Sequence, residues 1–287
     1  VRETVEVVAA DGARLAVHRR GSGPPILCVP GGPGRASEYL EDLGGLHGSN
    51  TLWLLDSRGT GRSELPADRS SLAFPRLADD VESVRIALGL DDPVVLAHSA
   101  GCLVAMAWAA AHPRVASALV LVTPPGRRTG DDMADLPAIR AARSDEPWHA
   151  EAAEAASLLD SGDVPGRLRG EMERAARPFA YGRWDDAAQR HADSTDAQMS
   201  LRAWAGFDPG PAYDYAPMLA ALKSVPAPVL VVVGDRDGLT GAVIGERVAA
   251  RFADARCATI EGAGHYPWID EPAAFAAAVR DFLAVRA

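Results

Sequence analysis

Short apolar runs recur along the chain, each bounded by glycine, proline or charge: Ile26-Leu27-Cys28-Val29, Leu52-Trp53-Leu54-Leu55, Val94-Val95-Leu96, Leu119-Val120-Leu121-Val122 and Val229 to Val233. Runs of this length suit parallel strands covered on both faces, which have no polar side to show. Between them lie stretches of helical period: Leu77 to Leu88, Cys102 to Ala111, Gly241 to Phe252 and Ala273 to Leu283. Near the amino end Glu3 to Val8 and Arg14 to His18 alternate instead, and Asp11-Gly12 between them predicts a hairpin. Strand and helix in alternation predict a doubly wound, mostly parallel α/β sheet.

The pattern changes after Pro124. From there to about Ala221 the chain is rich in Ala, Glu and Arg, with helical stretches such as Trp148 to Leu159 and Leu168 to Ala176 and no strand candidate; parallel-strand patterning resumes at Pro228. The expected organisation is a first core segment over 1–123, a helical lid over 124–221 and a second core segment over 222–287. An insertion at that point would sit over the carboxyl edge of the sheet, where α/β folds bind ligands.

The candidate chemistry lies at the ends of the predicted strands. Ala97-His98-Ser99-Ala100-Gly101 follows one apolar run and opens a helix at Cys102. A serine on so tight a turn is held clear of the backbone, and small neighbours are needed because strand and helix nearly touch there. Acyl transfer by a serine also needs a base and an acid to orient it. Gly234-Asp235-Arg236-Asp237 follows Val229 to Val233, and Glu261-Gly262-Ala263-Gly264-His265 follows Ala258-Thr259-Ile260, in the chain order Ser, Asp, His. His265 is the expected base and Asp237 the expected acid. Asp235, next to the strand glycine, is expected to be consumed in the turn by bonding its own backbone. The earlier strand ends in Thr123-Pro124-Pro125-Gly126 and offers no carboxylate. Pro30-Gly31-Gly32-Pro33-Gly34 can turn backbone N–H groups toward a ligand, so the N–H groups of Gly32 and Ala100 are the expected oxyanion donors. His98 adjoins the serine and is a candidate pocket residue, although strand alternation aims its side chain away from Ser99.

PGGPG at 30–34, DSRGTGRS at 56–63, AHSAG at 97–101, GDRD at 234–237 and GAGHYPWIDEP at 262–272 together resemble the proline iminopeptidase branch of the α/β-hydrolase superfamily, along both core segments. That branch commonly has HGGPG, DQRGxGxS and GGSxGx, so Pro30, Ser57 and the Ala97-His98 pair are departures, as is Ala100 where a bulky residue is usual. The resemblance implies the α/β-hydrolase fold and two-step hydrolysis through an acyl-enzyme, with no metal or organic cofactor. Its expected substrate is a small molecule or short peptide from which an N-terminal aminoacyl group is removed. An esterase, thioesterase or lactonase on the same machinery is the alternative, and a non-catalytic receptor on this fold is a third reading. Peptidases of the branch place acidic lid residues, often beside tryptophan, to hold the substrate amine; Arg183-Trp184-Asp185-Asp186 and Asp145-Glu146-Pro147-Trp148 are the counterparts, which makes Asp185, Glu146 and Trp184 candidate substrate contacts. DSRGTGRS reads as structural, with Asp56 and Arg58 expected to bond across its turn.

Composition narrows the partners. The formal net charge is −10 with no basic run, so neither nucleic acid nor an anionic membrane is an expected partner. No apolar run approaches the roughly 20 residues that span a bilayer. The first 25 residues carry Glu3, Glu6, Asp11, Arg14, Arg19 and Arg20 with no uninterrupted apolar stretch, so a cytoplasmic location is expected. Cys28, Cys102 and Cys257 are far apart and lack metal-type spacing, which predicts buried free thiols in a reducing compartment. Lys223 is the only lysine and lies in a polar stretch, which argues against lysine-based covalent chemistry.

Overall fold

The alternating segments at the amino end pair antiparallel as β1 (Glu3–Val8) and β2 (Arg14–Gly21), with Gly12 in the connecting turn at φ +91°. Only glycine adopts that backbone without strain. β2 pairs antiparallel with a strand at Thr51–Leu55, β4, and all remaining pairs are parallel: β3 (Pro25–Val29), β5 (Val94–His98), β6 (Ala118–Val122), β7 (Val229–Gly234) and β8 (Ala255–Ile260). The computed structural model describes residues 3–285 apart from 127, 128, 132 and 163.

The strand order is β1-β2-β4-β3-β5-β6-β7-β8. From β3 the chain first steps outward to β4 and then returns to lay β5 on the other side of β3. Beyond the carboxyl ends of β3 and β5 the connections therefore diverge, and such a switch point leaves a crevice in which α/β proteins bind ligands.

Period-2 alternation divides the apolar runs between two cores. Leu27, Val29, Val95, Ala97, Leu119, Leu121, Val229 and Val231 face one core, packed with α1 (Phe74–Ala87) and α2 (Gly101–Ala111). Ile26, Cys28, Leu96, Val120, Val122, Leu230 and Val232 face the other with Trp268, Phe275 and Val279. The last two belong to the carboxyl-terminal helix, which follows α3 (Leu136–Ala141), α4 (His149–Ser161), α5 (Gly166–Ala176), α6 (Asp186–Gln198), α7 (Leu201–Gly206), α8 (Ala216–Ala221), α9 (Val243–Ala249) and α10 (Pro267–Asp270) and is α11 (Pro272–Ala284).

Helices α3 to α8 separate β6 from β7, and no strand lies between them among the described residues. Backbone hydrogen bonds fasten this segment to three loops at the carboxyl ends of the strands. Ser200 N–H donates to the Gly34 carbonyl at 2.9 Å, Gly238 N–H to that of Phe179 at 2.9 Å, and His265 N–H to that of Ala180 at 2.7 Å. Its last part behaves differently: Phe207, Met218 and Leu222 join the first core, and α8 packs on α2.

Three expectations are corrected. Helix α9 is shorter than its apolar pattern because Gly241, at φ +76°, belongs to the turn, and Asp135 Oδ2 accepts from Ala242 N–H and Val243 N–H at the helix start. Cys28 and Cys102 are buried thiols, whereas Cys257 is only half-buried because β8 is an edge strand. Asp56 and Arg58 do not bond each other. Asp56 accepts from Ser37 N–H, Ser37 Oγ–H and Arg62 N–H, while Arg58 makes paired bonds to Asp80 and Asp11 at 2.5–2.9 Å. Each charge has found a partner on another element, and the glycine requirement arises elsewhere: a Cβ on Gly61 would lie 2.1 Å from Asp56 Oδ2.

Candidate active site

Strand β5 ends at His98 and α2 begins at Gly101, so the chain must reverse within two residues. Ser99 takes that turn at φ +50°, a left-handed backbone uncommon for a residue with a Cβ, and its N–H is held by the Val122 carbonyl of β6 at 2.8 Å. Glycines flank it for steric reasons. A Cβ on Gly101 would lie 2.5 Å from the Pro30 carbonyl oxygen, and one on Gly31 would lie 2.5 Å from that of His98 and 2.8 Å from Ser99 Cβ. The loop after β3 therefore rests directly on the serine turn.

The structure brings Ser99, His265 and Asp237 together. Asp237 is fully buried and can only accept, so the proton of His265 sits on Nδ1, which donates to Asp237 Oδ2 at 2.8 Å. Nε2 is left as an acceptor for Ser99 Oγ–H at 2.9 Å. The rest of the carboxylate is satisfied by Leu239 N–H at 2.8 Å, Thr240 N–H at 3.1 Å and Thr240 Oγ–H at 2.6 Å. Burial by itself would raise the Asp237 carboxyl pKa, but the His265 imidazole and these donors outweigh burial and hold it below the ordinary aspartate value. Asp235 stands aside, accepting from Gly262 N–H at 2.7 Å. The turn-bonding expected of Asp235 is thus made by Asp237, which bonds its own turn with one oxygen and presents the other to the imidazole.

Gly32, at φ +119°, follows the Gly31 that rests on Ser99, and Ala100, at the start of α2, follows Ser99 itself; among the described residues neither N–H donates to a protein acceptor. A cavity of about 280 Å³ opens beside Gly32, lined by Leu159, Glu173, Arg177, Met199, Trp204, Leu239 and Tyr266 among others. Ser99, Asp237 and His265 are not among its lining residues; it reaches them through Gly32, Leu239 and Tyr266, their neighbours in the chain or in the loop after β3, whereas a larger cavity of about 820 Å³, lined by Glu41, Asp42 and Arg190, includes neither Gly32 nor any of the three. Among the described residues no cluster of His, Cys, Asp or Glu is placed to hold a metal ion.

The remaining candidates lie apart from this cavity. Asp185 is the N-cap of α6: its Oδ1 accepts from Ala187 N–H and Ala188 N–H at 3.0 Å, and its Oδ2 from Arg183 Nε at 2.9 Å. Trp184 packs beside Tyr181, against the buried cluster of Ala180, Ala188 and Ala192. Glu146 faces Arg143 at 3.6 Å across a different crevice. His98 is 1 % exposed and faces the interior.

Two residues not singled out from the sequence line the cavity. Glu173, on α5, keeps 48 % of its side chain exposed and faces Arg169 at 3.9 Å; partial burial pushes its carboxyl pKa up against the opposing pull of Arg169, Arg177 and Arg174. Arg35 is 2 % exposed, stacks on Tyr39, and spends its N–H groups on Gln198, Ser194 and the His191 carbonyl. The i, i+4 spacing places Arg169 and Glu173 on one face of α5, with Arg177 just past its end, but nothing local says that this face meets the cavity beside Gly32.

Comparison with known proteins agrees with the fold. A family model described as alpha/beta hydrolase fold matches residues 24–272. A pimeloyl-[acyl-carrier protein] methyl ester esterase of Neisseria meningitidis serogroup B is 30% identical over 212 residues, 69% of this chain and 72% of that protein. A proline iminopeptidase of Heyndrickxia coagulans is 28% identical over 116 residues, 39% of this chain, and the match spans only 40% of that protein's length. The crystal structure of a proline iminopeptidase from Mycobacterium smegmatis superposes with a TM-score of 0.76 at 22% identity, covering 99% of this chain and 98% of that one, a likeness of fold.

Proposed function

This chain belongs to the α/β-hydrolase family, and we propose that it is a serine hydrolase acting through an acyl-enzyme, with Ser99 as nucleophile, His265 as base and Asp237 as the acid that orients the base. The observation that carries this reading is the continuous bond chain from Ser99 Oγ through both ring nitrogens of His265 to Asp237, at 2.9 and 2.8 Å, beside two N–H groups without protein acceptors. In the proposed first step Ser99 Oγ attacks a carbonyl carbon and passes its proton to His265 Nε2, while Gly32 N–H and Ala100 N–H receive the oxyanion. His265 then protonates the leaving group, and water repeats the sequence on the ester so formed. Asp237 compensates the imidazolium at each stage. The segment from α3 to α7 would act as the lid, since α4 to α7 and the chain between them supply most of the cavity wall.

Within this reading the first substrate class is an amide or ester of an amine-bearing acyl group. Glu173 is the carboxylate among the residues lining the cavity; its side chain is 48 % exposed and faces Arg169 at 3.9 Å, and it is the acidic group there that a substrate ammonium could meet. This moves the amine-anchoring role from Asp185, which caps α6, and from Glu146, which lines a different crevice, since neither lines this cavity. A second reading, hydrolysis of a neutral or anionic acyl ester, is favoured by Met199, Trp204 and Arg177 in the same wall, and by the methyl ester esterase among the relatives.

The test is a panel of aminoacyl anilides and esters beside simple acyl esters, with wild type and Glu173→Gln. The amine reading expects KM for aminoacyl substrates to rise on the order of tenfold, the effect of losing one charge-assisted bond, with acyl esters unchanged. Equal effects on both classes would leave the acyl-ester reading.

A further inference from the structure

His98 occupies the position before the candidate nucleophile, where its side chain turns inward and cannot touch a substrate. Its bonding is nonetheless fully determined. The His265 backbone carbonyl can only accept, so His98 carries its proton on Nε2 and donates there at 2.9 Å. His98 Nδ1 must then accept, and the Tyr39 hydroxyl donates to it at 2.7 Å. The Tyr39 oxygen in turn accepts from Gly31 N–H at 2.6 Å. Both rings are buried, at 1 % exposure each, and burial disfavours the charged form of the imidazole, so the polarity of this relay does not alternate.

The ends of the relay are what give it meaning. Gly31 precedes Gly32, the expected oxyanion donor, and its Cα lies against Ser99 Cβ closely enough that only glycine fits. The other end is the peptide of the base itself. The His265 carbonyl accepts from His98 and also from Thr123 Oγ–H at 3.1 Å, while its N–H donates to the Ala180 carbonyl at 2.7 Å. A buried apolar residue at 98 could fill the same space and would make none of these connections.

Resting on the serine-hydrolase reading, we propose that His98 and Tyr39 are positioning residues. They link the oxyanion loop to the backbone of the catalytic base across the nucleophile turn, so that donor, nucleophile and base keep one mutual geometry. Misplacement of reacting groups by about an ångström costs about a hundredfold in rate, and the relay spans the two groups whose separation matters most.

The experiment combines active-site titration with steady-state kinetics. Wild type, Tyr39→Phe, His98→Phe and His98→Gln are titrated with a fluorophosphonate, giving both the labelled fraction and the labelling rate per site, and turnover of a chromogenic ester gives kcat and KM. Positioning predicts full labelling stoichiometry and unchanged KM for Tyr39→Phe and His98→Phe, with the rate per site and kcat each lower by roughly ten- to a hundredfold. His98→Gln, which keeps a donor for the His265 carbonyl, should recover part of the loss. If His98→Phe does not fold, Tyr39→Phe and His98→Gln decide the matter. A merely structural role would instead give fewer labelled sites, each reacting at the wild-type rate, and that result overturns the proposal. Wild type that resists the reagent altogether would overturn the serine-hydrolase reading beneath it.

Discussion

Asp237→Asn changes one atom at a fully buried position, and the surrounding bonds dictate what that atom does. Asp237 Oδ1 accepts from two backbone N–H groups, those of Leu239 and Thr240, so an asparagine must keep its carbonyl oxygen on that side. Its amide nitrogen then replaces Oδ2, which faces His265 Nδ1 and Thr240 Oγ. A donor there forces Nδ1 to accept, which moves the imidazole proton to Nε2, opposite Ser99 Oγ. The base then holds its proton where it should receive one. The expected loss is about 10⁴ in kcat, or about 5.5 kcal/mol of transition-state stabilisation. Folding should suffer far less, by about 1–2 kcal/mol, because the Thr240 hydroxyl can rotate to accept from the amide. Ester turnover and thermal unfolding measure the two effects separately. Asp235→Asn is the control: Asp235 Oδ1 accepts from Gly262 N–H outside the cluster, and the asparagine carbonyl oxygen can do the same, so activity should stay near wild type. A folded Asp237→Asn that loses less than tenfold, or a larger loss in Asp235→Asn, would refute the tautomer argument.

Two further outcomes follow from the packing around the loops. Asp270 Oδ2 accepts from Gly182 N–H and Gly264 N–H while Oδ1 is buried with no partner among the described residues, and burial pushes its carboxyl up to about 6. The folded state then binds this proton more tightly than the unfolded chain, so stability falls as pH rises from about 4 to 6; Asp270→Asn should flatten that slope, by up to about 3 kcal/mol, in denaturant titrations at pH 4 and pH 7, and an unchanged slope would exclude Asp270 as its source. Gly31→Ala places a Cβ 2.5 Å from the His98 carbonyl oxygen and should lower kcat by about a hundredfold by lifting the loop after β3, the proposed oxyanion loop, from the Ser99 turn; wild-type turnover would show that the loop yields without consequence.

Legibility followed the range of the interactions. The strands could be read because apolar runs and period-2 alternation are local, and the loops after β5, β7 and β8 could be read because glycines mark where the backbone must turn or pack closely. Strand order fixes which loops meet, so the approach of Ser99, Asp237 and His265 was accessible once a parallel sheet was inferred. Turn position alone does not separate Asp237 from Asp235, since Asp237 itself bonds its turn through Leu239 N–H and Thr240 N–H. What stayed hidden depends on pairing across long separations. Arg58 prefers Asp80 and Asp11 to its neighbour Asp56, Glu173 reaches the cavity only through the packing of α5, and the partners of His98 come from Tyr39 and His265, 59 and 167 positions away.

The most direct measurement of the central claim is the site of covalent modification by a fluorophosphonate, read by mass spectrometry of the digested protein and compared with Ser99→Ala. The account predicts one adduct, on Ser99, none in Ser99→Ala, and a fall in kcat of about 10⁶ in that variant. An adduct on another residue, or hydrolysis by Ser99→Ala at the wild-type rate, would contradict it.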